Sequence, residues 1–336
     1  MRPMEMTLAH RWEPTRRLSR SLAGYLCGSH SGVARRRGAR RLPPALIAQA
    51  HQRLAARSDD DPTLLGAQRW DPDRERKRLA NGLRTALNVE GVVELVLFGS
   101  QARGGTTGFS DVDALLIIED ALVEEPGRLR ALRPRVLAAE RAILRHQPMQ
   151  HHELEVVTPK LLQFAHSSLG LPPQALSDTR SLFGRPAAAS WGADHENAAR
   201  LARVALSDLA GGLLSARHWP RHPWLLHRLV SMFELLPALY LQSRDRSVPK
   251  WESFSAARAV FGPSWWPYEV LEQVRAVWPR RPRRGLETVT IAARNPWPVV
   301  AAWSRIPAAP PAGVASLLDD ECLAGLQEIC RRAVAG

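Results

Sequence analysis

Cysteine is scarce in this sequence, with three residues in 336, at Cys27, Cys322 and Cys330. Three scattered cysteines are too few for a disulfide framework, and because no pair is spaced as C-x-x-C, a zinc site built on that motif is excluded too. Long apolar runs are also lacking, so we expect no membrane span. The N-terminus is basic but carries no compact apolar segment before small residues, so we expect no secretory signal. These features favour a reducing compartment, and we expect the cytoplasm.

Lysine is rare as well, and arginine carries nearly all of the positive charge, since the only lysines are Lys77, Lys160 and Lys250. The formal net charge is +13. Residues 1–90 contain 18 Lys and Arg against 9 Asp and Glu, whereas residues 91–160 contain 8 against 10. The basic leading segment would either attract phosphate backbones or form a solvated extension, and both interpretations stay open.

Hydrophobic periodicity divides the chain into three parts. Residues 1–42 show no sustained period, so we predict a basic, disordered extension. Residues 43–190 alternate strand and helix patterns, which predicts an α+β core with a small mixed sheet flanked by helices. Residues 191–336 carry helical spacing, apart from a Pro- and Arg-rich stretch at 278–311 that is predicted to be extended, which predicts an all-α domain.

Several elements can be placed in advance. Within the core we expect strands at 92–98, 112–118 and 152–158, and helices at about 126–145 and 159–168. A helix that begins near Asp73 should bury leucines at intervals of four and lead to Gly91. In the helical part, one apolar stripe is predicted to consist of Leu201, Val204, Leu209 and Leu213.

Two motifs ten residues apart carry the chemistry. The apolar strand at 92–98 breaks at Gly99-Ser100, where backbone N–H groups and a hydroxyl would hold phosphate. Asp111 and Asp113 are two residues apart at the start of the next predicted strand, so their side chains would project from the same side. Two such carboxylates repel each other unless a cation lies between them. Mg²⁺ prefers oxygen ligands and commonly shares its shell with phosphates, so this pair predicts a magnesium site.

Gly-Ser, ten residues and Asp-x-Asp together resemble the signature of the nucleotidyltransferase-fold (DNA polymerase β-like) superfamily, over about Val89 to Pro186. The forms Gly-Ser-x-Ala-Arg-Gly and Ser-Asp-x-Asp are most similar to its minimal and antibiotic-modifying bacterial members. The resemblance implies that Gly99 and Ser100 bind the β- and γ-phosphates of a nucleotide. It also implies that Asp111 and Asp113 bind Mg²⁺, with two ions expected.

Further residues take roles that the resemblance implies. A third carboxylate on a neighbouring strand would bind the second metal or activate the acceptor; we prefer Glu155, with Glu153 in reserve. Arg103 would reach a phosphate or the leaving pyrophosphate, or else face solvent. Lys250 lies where similar enzymes place a phosphate-binding cation, or is a loop lysine. His152 and its histidine neighbours form either a solvated loop or a metal site.

The function so implied is Mg²⁺-dependent transfer of a nucleoside monophosphate from an NTP, expected to be ATP, to a hydroxyl group with release of pyrophosphate. The helical domain would select the acceptor: a small hydroxylated molecule, a protein side chain or an RNA end. An alternative of a different class is a non-catalytic regulator that binds nucleotide or nucleic acid. An antitoxin-like protein whose fold serves as an interface is a further alternative.

Overall fold

The computed structural model describes residues 62–64, 68–69, 76–147, 149–150, 152–162, 178–184, 190–192, 195–278 and 310–335. The extension predicted at 1–42 lies outside them. The chain forms two compact units. The first holds the described residues of 1–104, 112–146 and 152–194, and the second those of 105–111, 147–151 and 195–336. The domain boundaries drawn from the sequence stay a prediction.

A mixed five-stranded sheet organises the first unit, with the order β2-β6-β3-β4-β5. Its strands are β2 (Gln68–Arg69), β3 (Val92–Leu97), β4 (Ala114–Ile118), β5 (Glu155–Val157) and β6 (Arg180–Gly184). β3 runs antiparallel to both β4 and β6, whereas β4 is parallel to β5 and β2 is parallel to β6. A separate antiparallel pair joins β1 (Pro62–Leu64) to β7 (Ser190–Gly192).

Helices flank this sheet, as the sequence predicts. They are α1 (Lys77–Leu87), α2 (Gly99–Arg103), α3 (Asp120–Glu124), α4 (Pro126–His146) and α5 (Pro159–Leu162). Leu79, Leu83 and Leu87 of α1 are buried, so their predicted packing is confirmed. α1 ends at Leu87 and not near Gly91, because Asn88 already leaves helical geometry at the C-cap.

Helix α4 packs its predicted apolar face into the core of the first unit. The predicted residues Leu129, Leu132, Val136 and Ile143 are all buried. The same helix carries a buried acid, Glu140, whose Oε1 accepts a hydrogen bond of 2.7 Å from the N–H of Leu154. Because an unpaired buried polar group is costly, this bond fixes the chain just before β5.

Two predicted strands are shorter in the structure, which changes the place of the acids. β4 begins at Ala114, so Asp111 and Asp113 lie in the extended segment before it and do not open it. The N–H of Phe98 still donates to the carbonyl of Asp113 at 3.1 Å. The backbone after Phe98 then leaves the sheet at Gly99, where φ is +64°, so the hydrogen bonding between β3 and β4 ends there. β5 covers Glu155–Val157, which leaves Glu153 ahead of the strand.

The second unit is mostly helical. Its helices are α6 (His195–Leu214), α7 (Pro223–Ser243), α8 (Lys250–Phe261), α9 (Trp266–Val277), α10 (Ala312–Ala315) and α11 (Asp320–Ala335), with a 3₁₀ turn at Gly262–Trp265. With the mixed sheet of the first unit, this confirms the predicted α+β class. Among the helices described, none is both long and apolar enough to cross a membrane.

The apolar stripe predicted on α6 is wrong except at Leu213, which is buried. Val204 is 46% exposed, and Leu201 and Leu209 are half-buried. The other buried residues of the helix are Ala198, Ala199, Ala202, Leu206 and Ala210. The physical reason is the packing of α6 against α7: Cε of Met232 lies so near Gly212 that a Cβ there would be 3.1 Å from it. Small side chains allow such an approach, and the leucine and valine positions beside them stay at the edge.

Candidate active site

The start of α2 touches the carboxylate of Asp113. Gly99 has φ +64°, a left-handed conformation that favours glycine. A Cβ at Gly99 would lie 2.4 Å from Oδ2 of Asp113, so only glycine leaves room for this oxygen. The sheet sets up the contact, because Leu97 pairs with Ala114 and so brings the end of β3 to the start of β4. The structure thus brings the Gly-Ser motif and the second acid of Asp-x-Asp together.

Gly99 and Ser100 are the first residues of a five-residue helix, and not a free turn. Ser100 is half-buried, and Arg103 ends the helix in an exposed position. Nη1 of Arg103 lies 3.9 Å from Oδ2 of Asp178, whose side chain is also exposed. The helix stops at Gly104, which has φ +82°. Arg103 is therefore accessible next to the Gly-Ser motif.

Burial alternates along the segment that carries the two acids. Ser110, Val112 and Ala114 are buried, whereas Asp111 and Asp113 are half-buried. This period of two is that of an extended chain, and it is the pattern expected if both acids face the same side. By proximity of Cα atoms, Asp111 belongs to the second unit and Asp113 to the first.

Glu155 lies on the same face of the sheet as Asp113. In the parallel pair of β4 and β5, Leu115 is opposite Glu155. Leu115 and Asp113 are two residues apart on extended chain, so their side chains share a face, and Glu155 shares it too. In the described part of the chain, no three His, Cys, Asp or Glu side chains converge as a metal-binding group. Asp111, Asp113 and Glu155 therefore do not form a three-ligand cluster here.

His152 is a neighbour of Asp113 whose role the sequence leaves undecided. Its Nε2 lies 3.3 Å from Oδ1 of Asp113, and its Nδ1 lies 3.2 Å from the carbonyl oxygen of Glu153. Both neighbours are acceptors, so the ring satisfies both when each nitrogen carries a hydrogen. The signal that identifies His152 is the register of β4 with β5, which a single sequence does not provide. One oxygen of Asp113 thus lies beside His152, and the other lies beside Gly99, which has no side chain to displace it.

Comparison with known proteins bears on this geometry. Residues 76–178 match the protein family described as "Nucleotidyltransferase domain". This segment is similar to nucleotidyltransferase domains. The match covers just under a third of the chain and includes β3, α2, β4 and β5. At a significant level the chain matches no curated protein and no solved structure. The predicted superfamily is confirmed, and the closeness to minimal and antibiotic-modifying members stays a prediction.

Lys250 lies outside the nucleotidyltransferase domain and in the second unit. It is the first residue of α8, and not a loop residue. Its Nζ lies 3.7 Å from Oε2 of Glu234, and Nε of Arg275 lies 3.2 Å from Oε1 of the same acid. Burial raises the pKa of Glu234, and the charges of Lys250 and Arg275 oppose that shift. The contact that the structure gives Lys250 is therefore with a buried carboxylate of its own unit.

Proposed function

We propose that this chain is a Mg²⁺-dependent nucleotidyltransferase that moves a nucleoside monophosphate from an NTP, ATP in the first instance, to a hydroxyl acceptor and releases pyrophosphate. The contact between Gly99 and Asp113 carries this proposal. A segment that binds phosphate and an acid that binds metal must lie within reach of one triphosphate, and this contact makes them immediate neighbours. The family of the domain supports nucleotidyl transfer in general.

The donor set fits Mg²⁺. This ion takes oxygen ligands and usually binds through one or two carboxylates, several waters and the substrate phosphates, without a cage made only of protein. Asp113 is 31% exposed, and Asp111 is half-buried two residues earlier, so both side chains are partly accessible to a hydrated ion. Asp111 and Asp113 would hold the first ion, and Glu155, farther along the same face, would contribute to a second. When bound, Mg²⁺ neutralises charge on the phosphate oxygens and aligns the reacting groups.

The residues of the chain have separate roles in this scheme. Gly99 keeps the approach to the carboxylate free of a side chain, and the hydroxyl of Ser100 donates to a phosphate oxygen. His152 holds Asp113 in orientation. Arg103 can exchange its pair with Asp178 for a phosphate at little cost, because exposed ion pairs contribute little stability.

The reaction itself follows from the chemistry of the triphosphate. The acceptor oxygen attacks the α-phosphorus, the bond between the α-phosphorus and its bridging oxygen breaks, and pyrophosphate leaves. Glu155 would take the proton of the attacking hydroxyl as general base. The acceptor classes predicted from the sequence remain proposals: a small hydroxylated molecule, a protein side chain or an RNA end, selected by the helical unit.

Binding of the nucleotide is the first test, since it needs no acceptor. Isothermal titration calorimetry of the full chain with each of the four NTPs, with and without Mg²⁺, should show Mg²⁺-dependent binding of at least one. Asp113→Asn should weaken that binding by at least about 10- to 100-fold, the cost of losing a residue that supports a metal ligand. Asp120→Asn is a matched control, because Asp120 accepts the N–H of Lys160 after the end of β4 and belongs to no proposed site. It should bind as the wild type does.

Turnover is the second test. Label from an [α-³²P]NTP should pass to a component of a small-molecule, protein or RNA fraction, with release of pyrophosphate, and Asp113→Asn should abolish this transfer. Binding without transfer or pyrophosphate release would support the non-catalytic regulator instead. Binding that Asp113→Asn leaves unchanged would contradict the proposed site.

A further inference from the structure

The turn before Asp111, residues 107–110, is closed by its own hydrogen bonds. The N–H of Ser110 donates to the carbonyl of Thr107 at 3.2 Å. The N–H of Thr107 donates to Oγ of Ser110 at 2.9 Å, and the N–H of Phe109 donates to Oγ1 of Thr107 at 3.2 Å. The conformation of the turn is therefore fixed in part by hydrogen bonds within it.

Two buried side chains of the second unit hold this turn from outside. Nε2 of Gln147 donates to the carbonyl oxygens of Gly108, at 3.1 Å, and of Ser110, at 2.8 Å. Nε2 of His227, on α7, lies 3.0 Å from the carbonyl oxygen of Phe109 and donates to it. Three successive carbonyls thus accept bonds from two side chains. Both side chains are buried, so losing either bond would leave polar groups without water.

The ring of Phe109 anchors the same turn in the core of the second unit. It stacks on His227 with ring centroids 4.0 Å apart, and it meets the edge of Trp278 at 5.3 Å. Phe109, His227 and Trp278 are all buried. The turn is therefore fixed by packing as well as by hydrogen bonds, and Asp111 is attached directly to its end.

We propose that Gln147 and His227 are positioning residues for Asp111, an inference that rests on the proposed function, in which Asp111 holds a divalent cation. The carbonyl of Ser110 and the N–H of Asp111 belong to one planar peptide group. Gln147 fixes the direction of that carbonyl and therefore the orientation of the peptide group that leads into Asp111. His227 prevents the preceding peptide from turning. Neither side chain touches the substrate in this scheme.

The chain offers matched controls for both residues. Nε2 of Gln327 also donates to two carbonyls, those of Leu213 at 3.0 Å and Ala216 at 2.7 Å, at the end of α6. Gln327→Met therefore removes the same kind of bonds as Gln147→Met, within the same unit but away from the turn. For His227, the leucine variant removes the donor, whereas His227→Gln places an amide N–H near the position of Nε2.

The experiment combines Mn²⁺ binding, followed by electron paramagnetic resonance, with hydrogen exchange of peptides that span residues 105–113 and with thermal unfolding. Gln147→Met and His227→Leu should weaken Mn²⁺ binding by about 10- to 100-fold, the range expected when support for a metal ligand is lost. They should also speed exchange in 105–113. Gln327→Met and His227→Gln should bind Mn²⁺ as the wild type does, even where they lower the unfolding temperature.

The outcomes separate this inference from the proposed function. If Gln147→Met binds Mn²⁺ and exchanges in 105–113 as Gln327→Met does, the positioning role is overturned while the proposed function stands. If Asp113→Asn binds Mg²⁺ and NTP as the wild type does, the proposed function itself fails. Should Gln147→Met not fold, the two His227 variants decide by the same criterion.

Discussion

Replacing Gly99 by alanine tests whether the carboxylate of Asp113 needs the space that glycine leaves. The new Cβ would lie 2.4 Å from Oδ2 of Asp113, closer than non-bonded atoms approach, and 3.2 Å from its Cγ, which is a tight contact. The backbone of Gly99 is separated from β3 by one buried residue, Phe98, whereas the side chain of Asp113 is partly exposed and can rotate. We therefore expect the carboxylate to be displaced while the fold persists.

The expected magnitude has two parts. A non-glycine residue at the left-handed φ of Gly99 costs roughly 1–2 kcal/mol, and pushing Asp113 from its rotamer costs about 0.5–1.5 kcal/mol more. Gly104→Ala isolates the first part, because Gly104 has φ +82° but a Cβ added there would meet no described atom within 4 Å. The two alanine variants should differ more in nucleotide affinity than in the free energy of unfolding. A displacement near 1 Å at a reacting centre can cost about 100-fold.

The assay is calorimetric titration with Mg²⁺ and the NTP that the wild type binds, beside thermal unfolding of both alanine variants. Gly104→Ala should be slightly less stable than the wild type and bind the nucleotide with unchanged affinity. Gly99→Ala should be the less stable of the two and lose most of its affinity. Equal affinities for the two variants would refute the argument, since the contact with Asp113 is what distinguishes them.

Three other predictions follow from the described contacts. Burial raises the pKa of Glu234, so the stability that this acid contributes falls as pH rises through that pKa. Lys250→Met should lower the free energy of unfolding, measured in urea at pH 7.5, by roughly 1–2 kcal/mol, which is less than for a fully buried ion pair because Lys250 is half-exposed. The loss should be smaller at pH 4.5, where a protonated Glu234 no longer needs a cation. Burial raises the pKa of Cys322 to about 12 and that of Cys330 to about 11, so peptide mapping after iodoacetamide at pH 8 should find both unmodified until the chain is unfolded. Glu155→Gln should slow label transfer by about 10²- to 10⁴-fold, as expected for loss of a general base, with little change in NTP affinity.

The first unit is predictable where its signal is local. A short apolar run broken by Gly-Ser identifies β3, and the four-residue spacing of Leu79 and Leu83 identifies α1. The contact of Gly99 with Asp113 follows from the antiparallel pairing of β3 and β4. The Gly-Ser motif comes after the end of β3, and the Asp-x-Asp motif comes just before β4, so the pairing brings them together. The left-handed φ of Gly99 and the short helix behind it are tertiary details, because the Gly-Ser pair is compatible with several turns.

The remainder depends on residues far apart in the sequence. His152 reaches Asp113 only through the register of β4 with β5, and nothing in the local sequence specifies that register. The buried face of α6 escapes prediction because Leu201 and Val204 give the stronger apolar signal. The alanines beside them carry a weak one, yet they form the surface on which a helix can approach closely.

Asp111 and Asp113 are two residues apart, yet different parts of the chain hold them. Asp113 lies between His152, 3.3 Å from its Oδ1, and Gly99, whose missing side chain leaves room for its Oδ2. The backbone before Asp111 is held by Gln147 and by a histidine of α7 that lies more than a hundred residues away in sequence. An Asp-x-Asp motif placed on another strand pair would lack the four residues that support it here, which are Gly99, Gln147, His152 and His227. The motif by itself therefore specifies which acids are used but not where their oxygens lie. For a metal site, where misplacement near 1 Å is expensive, those supports belong to the functional unit as much as the acids do.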